Sequence, residues 1–322
     1  MRIAMTGGEG PIGRALQKVL AARAIASRSL LASEPPPDTV IQGEYVVGAE
    51  TDLATFERLL DGADALIYLG RPIPSPDEEA YREELAAMAA LIPAVDRAGI
   101  PLHFFSSSTV FTPQTDSPAA PLDEEVPVAP SSLLGMAHLT WEQTLRAWGE
   151  HKGLRYVTYR IPTAVPEYLV YSSISARYLR AGFRTGEIFS HAYDDGKRWG
   201  MCCVHAEDVA RMLAETIGRT DLFGEVFHLA ADLWISEHEL AEVSYRVLCD
   251  FMVPCKWRPP SANIPTGLVG DVWLDNRKAK RALNLNVADS MPRLVTKLRL
   301  WVDDFGSTAR LRVAKESESS HF

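Results

Sequence analysis

Hydrophobic positions follow two periods along the first half of the chain. Short apolar runs with the character of buried strands alternate with stretches whose apolar residues recur every three or four positions. "RIAMTG" is one such run; Ile12, Ala15, Leu16, Val19 and Leu20 behind it fall at the i, i+3, i+4, i+7, i+8 spacing of a helix face. "AIASRS" predicts a second strand, "EYVVGAE" a third and "ADALIYLG" a fourth, with a short helix over "FERLLDG" ending at Gly62. Leu85, Met88, Ala89, Ile92 and Val95 stripe a long helix that stops at Gly99, and "PLHFFSSS" predicts the fifth strand. Strands alternating with helices are the signature of a parallel sheet with crossover helices.

Residues 112–130 are rich in Pro, Ser, Asp and Glu and read as a loop. Ser131 or Ser132 then caps a helix reaching about Gly149, and "RYVTYRIP" predicts strand six. The alternation weakens after Pro166, whereas "EVFHLAAD" reads as a strand returning to the first sheet. The expected organisation is therefore a sheet domain over residues 1–165 plus about 203–232, with a lobe over 166–202 and about 233–305. The polar stretch 306–322 is expected to be a flexible tail. No tandem repeat is present.

Residues 6–13 read "TGGEGPIG", so glycines at 7, 10 and 13 leave the first strand and open the first helix. In a dinucleotide-binding turn the first glycine makes the turn. The second lets backbone approach a pyrophosphate, and the third lets the helix close on the strand. Gly7, Gly10, Pro11, Ile12 and Gly13 are thus the expected phosphate site, with free helix-N-terminal N–H groups as donors. The expected fold is α/β: a Rossmann-type doubly wound parallel sheet with a smaller, discontinuous C-terminal substrate lobe. An acidic residue ending strand two would select NAD through the ribose diol. Ser27 and Arg28 stand there in this reading and favour NADP, with NAD as the alternative.

Composition narrows the partners. The net charge is −9 and no basic run appears, which argues against a nucleic-acid groove. No apolar run reaches the roughly 18 residues of a membrane span. "MRIAMTGG" enters a strand at once, so no signal peptide is expected and the location expected is cytoplasmic. Cys202, Cys203, Cys249 and Cys255 lack zinc spacing, even with His205 counted, and are read as reduced thiols; no metal site is expected.

The G-x-x-G-x-x-G spacing resembles the extended short-chain dehydrogenase/reductase family, the NAD-dependent epimerase/dehydratase group. Further segments resemble it in order: "ETDLATFERLLDGADALIYLG", "FFSSSTVF", "YRIPTAV", "CCVHAEDVARML", "GEVFHLAAD" and "LDNRKAKRALN", together spanning about residues 1–290. The resemblance implies that Asp52 and Leu53 meet the adenine and that Leu69, Gly70 and Arg71 lie along the cofactor. It also implies that Ser106 touches the cofactor and that Ile161 and Pro162 border the nicotinamide. His228 takes a position where the family has Asn.

The resemblance breaks at the proton relay. The family carries Tyr-x-x-x-Lys where this chain reads "LLGMAHLTWE", with Leu134 in place of the phenol and His138 in place of the ammonium. Gly135, Leu139 and Glu142 fit the pattern. Counting back three from Val110 gives Ser107 the role of the hydroxyl that polarises the substrate oxygen, with Ser108 adjacent. Loss of a positioned general acid costs about 10²–10⁴ in rate, or roughly 3–5.5 kcal/mol of barrier. His138 is either a substitute acid/base or ribose ligand, or a helix histidine with a structural bond, and Leu134 falls on a stripe with Ala137, Trp141, Leu145 and Trp148. Other candidates by type are His103, His191, His205, Tyr168, Tyr171 and Tyr193. Tyr193–Lys197 matches the motif literally but contains Asp-Asp-Gly, which is turn chemistry, and Tyr156–Arg160 lies in a strand-like run.

Two functions follow. One is an NAD(P)-binding enzyme with altered catalytic residues, acting on a small polar or biosynthetic intermediate by reduction, epimerisation or non-redox isomerisation or cyclisation. The other is a non-catalytic NAD(P)-binding sensor or partner protein. A homodimer through the helices at 79–98 and 131–149 is implied by the resemblance alone.

Overall fold

The computed structural model describes residues 1–35, 42–70, 78–112, 120–165, 182, 185–189, 200–232, 234–258, 272–285, 287, 295, 296, 298–300, 302 and 303. Its centre is a seven-stranded, wholly parallel sheet. The strands are β1 (Arg2–Thr6), β2 (Ala26–Leu31), β3 (Glu44–Val47), β4 (Ala65–Tyr68), β5 (Leu102–Ser107), β6 (Tyr156–Ile161) and β10 (Val226–His228). Their spatial order is β10-β6-β5-β4-β1-β2-β3. The chain winds outward from β1 to β3, then returns to place β4 on the other side of β1. That reversal opens a crevice beyond the carboxyl ends of β1 and β4, the ligand position of doubly wound sheets.

Each face of the sheet carries its own core. On one side α1 (Pro11–Ala22), α5 (Ala206–Thr216) and α7 (Arg277–Leu283) cover Ile3, Met5, Ile67, Phe105, Val157 and Tyr159. On the other, α2 (Leu53–Leu60), α3 (Glu78–Ala98) and α4 (Leu133–Lys152) cover Ala4, Leu66, Tyr68, Leu102 and Phe104. Odd and even positions of β5 serve opposite cores, as the period of two requires. Helix ends follow local chemistry. Asp52 caps α2 through the N–H groups of Ala54 and Thr55, and Ser132 caps α4 through that of Gly135. Gly153, at φ +71, terminates α4.

Two small sheets lie outside the main one. β7 (Thr163–Val165), β9 (Gly200–His205) and β11 (Trp234–Ser236) form one in the order β11-β9-β7; β8 (Glu187–Phe189) and β12 (Lys256–Arg258) form the other. α6 (Glu237–Asp250) packs in a separate core with Ile188, Leu298 and Val302. Strand "EVFHLAAD" does return to the main sheet, beside β6. One boundary is corrected: β2 does not end at Ser29 but runs on to Leu31, because Ser29, Leu30 and Leu31 keep pairing with β3.

Candidate cofactor crevice and the adjoining relay positions

The glycine turn is built by contact between two loops. Gly7 sits at φ +62, in the left-handed region, and a methyl group on it would come 2.4 Å from the carbonyl oxygen of Gly70, just beyond β4. A methyl on Gly13 would lie 2.4 Å from the Gly7 oxygen and 2.5 Å from the Gly8 Cα, so helix and turn touch backbone to backbone. Gly10 differs. Its added carbon would find only the Gly7 oxygen, at 3.2 Å. Gly10 is the N-cap of α1, no side chain caps that end, Pro11 follows, and the first turn carries no acid. The Gly10 N–H bonds to the Gly7 carbonyl and Pro11 has none, but the uncapped start of α1 still offers first-turn N–H groups and the positive end of the helix dipole, which is the electrostatics an anion needs. Gln17, buried in α1, donates to Ser29 Oγ at 2.9 Å and to the Gly8 carbonyl at 3.4 Å, fixing the turn from below.

The other expected cofactor residues have individual positions. Leu69 and Gly70 line the mouth of β4, with Gly70 at φ +69; Arg71 lies outside the described residues. The Asp52 carboxylate is committed to the α2 cap and also accepts from Thr55 Oγ1 at 2.7 Å, a bond that holds its pKa below the ordinary value. Leu53 begins α2 and is exposed.

The placement of Ser27 and Arg28 at the end of β2 is corrected. They pair with Ile3 and Ala4 in mid-sheet. The Arg28 guanidinium donates to the carbonyls of Arg58 and Asp61 at the carboxyl end of α2 and to Glu44. α2 runs antiparallel to the strands, so its end lies at the edge of the sheet opposite the glycine turn. Arg28 is thus a helix-terminus clamp there, with its guanidinium engaged by the end of α2 and by Glu44. Ala32 and Ser33 follow the true end of β2, and the first acidic residue beyond it is Glu34, whose carboxylate accepts from Tyr45 Oη at 3.1 Å.

β5 delivers the serines. Ser107 ends the strand, opens the 3₁₀ turn Ser108–Val110, and accepts from the Thr109 N–H at 3.2 Å. Ser108 is buried in that turn. Gly135 lets α4 settle onto it, since a methyl there would be 2.1 Å from the Thr109 oxygen. The serine turn and the first turn of α4, which carries Leu134, are therefore neighbours. Leu134 is half-buried. One turn on, the His138 ring lies 6.4 Å from that of Phe104, and its Nδ1 is buried without a hydrogen-bond partner. Burial lowers its pKa to about 4, against the opposing pull of Glu142. The ring is neutral near pH 7, so it supplies no cation where lysine would stand. Among the described residues no hydrogen bond joins His138 to Ser107.

Beneath these positions lies a buried polar chain that the motif reading resolved only in part. Ser106 Oγ donates to Glu142 Oε1 at 2.6 Å, and Glu142 takes Arg160 through Nε at 3.0 Å and Nη2 at 2.8 Å. Arg160 Nη1 meets His228 Nε2 at 3.4 Å, and His228 Nδ1 meets the Leu122 carbonyl at 3.1 Å. A carbonyl only accepts, so Nδ1 carries the proton and Nε2 accepts from the guanidinium. Burial first, and Arg160 second, lower the His228 pKa to about 3. Ser106 is thus tied into the protein, on the face of β5 opposite Ser107. Pro162 and Ile161 close β6, with Ile161 paired to Ser107.

Of the remaining candidates, His103 is buried in mid-β5 against Tyr159 Oη at 3.0 Å, and His205 is buried at the start of α5. Tyr156 and Arg160 lie in β6. Tyr168, Tyr171, His191, Tyr193 and Lys197 fall outside the described residues. Among the described residues no group of three or more metal-ligating side chains is present, and no helix is long and apolar enough to cross a membrane.

A model of the NAD dependent epimerase/dehydratase family matches residues 3–230. The chain belongs to this family. No curated protein matches it. Solved structures share the fold at low identity. UDP-N-acetylglucosamine 4-epimerase from Bacillus cereus is 18% identical, with a TM-score of 0.75 over 93% of this chain and 98% of that one. DesIV, a dTDP-glucose 4,6-dehydratase from Streptomyces venezuelae with NAD bound, is 20% identical at 0.75, over 95% and 98%. UDP-glucose 4-epimerase from Thermotoga maritima is 20% identical at 0.76, over 96% and 100%. Membership in the epimerase/dehydratase family and these likenesses establish the Rossmann-type α/β fold.

Proposed function

We propose that this epimerase/dehydratase-family chain binds a nicotinamide dinucleotide in the crevice between β1 and β4, and that it is an enzyme with a rewired proton relay. The observation that carries the reading is the glycine turn: Gly7 and Gly13 locked by backbone contact, Gly10 free of side-chain neighbours, and an uncapped helix start. A pyrophosphate fits that cradle, and Gly7, Gly10, Pro11, Ile12 and Gly13 would hold it. When bound, the nicotinamide supplies reversible hydride exchange. NAD is the cofactor this reading names in place of NADP. Arg28 is engaged elsewhere, and Glu34 beyond β2 sets a negative charge that disfavours a 2′-phosphate.

Ser107 is the residue offered to a substrate oxygen, being the hydroxyl at the carboxyl end of β5. Leu134 cannot move a proton, and a neutral His138 can accept or donate one hydrogen bond without lending charge. Such a site suits a reaction that asks little of a general acid: reduction of an activated carbonyl or imine, epimerisation, or a non-redox isomerisation or cyclisation of a small polar intermediate. The same two residues favour the second reading, a non-catalytic dinucleotide-binding sensor or partner subunit.

The test is fluorescence titration with NADH and NADPH, then a carbonyl-substrate screen on the wild type and on Leu134→Tyr/His138→Lys. Saturable NADH binding with turnover supports the enzyme, and binding without turnover supports the sensor. If neither dinucleotide binds, both fail. If the double variant stays inert on family-type substrates while binding NADH, the relay is not what separates this chain from them.

A further inference from the structure

We propose that Cys249 and Cys255 form a peroxide-responsive dithiol, which oxidation closes into a disulfide between the end of α6 and the start of β12. Neither cysteine belongs to the dinucleotide crevice; both flank the turn that ends α6. The Val253 N–H bonds back to the Leu248 carbonyl at 3.0 Å, and the Met252 N–H to that of Cys249 at 2.9 Å. These are the two bonds of a Schellman turn, with Val253 and Leu248 also packed in one core. Met252 holds the left-handed position at φ +55 that glycine normally takes, and is 89% exposed.

This turn sends the chain back along the last turns of α6. β12 then pairs with β8, anchored by the Lys256 N–H on the Gly186 carbonyl. The Tyr245 and Trp257 rings meet at 5.6 Å. Cys249 lies one helical turn beyond Tyr245 on the same face, and Cys255 stands immediately before β12, two residues ahead of Trp257. The ring contact therefore brings the two thiols to the same side of the turn, near enough for Cys249 to raise the Cys255 thiol. Cys249 is exposed and Cys255 half-buried, with burial and the neighbouring Cys249 raising the Cys255 thiol to about 11. Cys202, by contrast, is fully buried in β9.

The chemistry balances with a hydroperoxide as oxidant. The Cys249 thiolate attacks the peroxide O–O bond, forming a sulfenic acid and releasing water or an alcohol. The Cys255 sulfur then displaces the sulfenic hydroxyl, losing its proton, and a second water leaves. Two S–H bonds are lost, one S–S bond forms, and the peroxide is reduced.

The test treats the folded full-length protein with hydrogen peroxide, alkylates remaining thiols, and maps peptides by mass. The expected product is a monomer lighter by two hydrogens, with Cys249 and Cys255 linked, restored by dithiothreitol, and formed faster than in urea. Cys249→Ser and Cys255→Ser should each abolish that product while Cys202 alkylation in urea is unchanged. Sulfinic acid on Cys249 with Cys255 still alkylatable overturns the proposal. So does linkage to Cys202, Cys203 or a second chain, or equal rates folded and unfolded.

Discussion

Glu142 on α4 and Arg160 on β6 form a bidentate ion pair with their side chains only 5% and 7% exposed. Ser106 satisfies the carboxylate from β5, and His228 takes the remaining guanidinium edge from β10. One polar chain thus bolts the relay helix to three adjacent strands directly below the serine turn. Phe111 covers it, with its ring 5.2 Å from the guanidinium carbon. Glu142→Gln leaves a buried cation without its charge partner and is expected to cost about 3–5 kcal/mol. Urea denaturation reads this directly. Glu142→Leu combined with Arg160→Met should cost far less than the sum of the single changes; strict additivity would show that the two charges do not act as a pair.

Gly10→Ala separates cofactor binding from folding. The added methyl meets only one atom, at 3.2 Å, so the thermal midpoint should hold, while backbone approach of a pyrophosphate is blocked and the NADH Kd should rise about tenfold or more. Gly13→Ala should instead damage the fold, by about 1–3 kcal/mol, because its methyl meets backbone on both sides. An unchanged NADH affinity in Gly10→Ala would remove the pyrophosphate from this turn.

Arg28→Ala tests the corrected strand end. It should lose about 1–2 kcal/mol through the freed carbonyls at the end of α2, and leave the ratio of NADH to NADPH affinity where it was. Glu34→Arg should move that ratio toward NADPH by about tenfold. A ratio that follows Arg28 would restore that residue to the ribose.

The strands and helices of the first half were legible because each carries a clean period on one buried face, and the glycine turn because its spacing sits between such a strand and such a helix. The end of β2 was misjudged for a related reason. Ser27, Arg28 and Ser29 look like the polar close of a strand, yet Leu30 and Leu31 continue it into the core. The partnership of Glu142 with Arg160 and His228 had no local signal: its members lie eighteen and sixty-eight residues apart on elements that only tertiary packing brings together. Glu142 was visible as a motif match, its chemistry was not. Cys249 and Cys255 read as unremarkable thiols because the turn that faces them is set by backbone hydrogen bonds at Met252.

Acid should destabilise the fold through histidines that are buried uncharged. His103 is 1% exposed, and desolvation takes its pKa to about 4 from about 6.5 in the unfolded chain. Between these values the unfolded chain binds the extra proton, so stability falls as pH drops from about 6.5 toward 4. From pH 7 to pH 5 this one group should remove about 2 kcal/mol, and His228, lowered to about 3, adds in the same direction over a slightly wider window. His103→Phe, which also gives up the bond to Tyr159, should lower stability at pH 7 yet flatten the slope between pH 7 and 5. Denaturant titrations of both proteins at several pH values settle it, and an equal slope in the variant would assign the acid sensitivity to other groups.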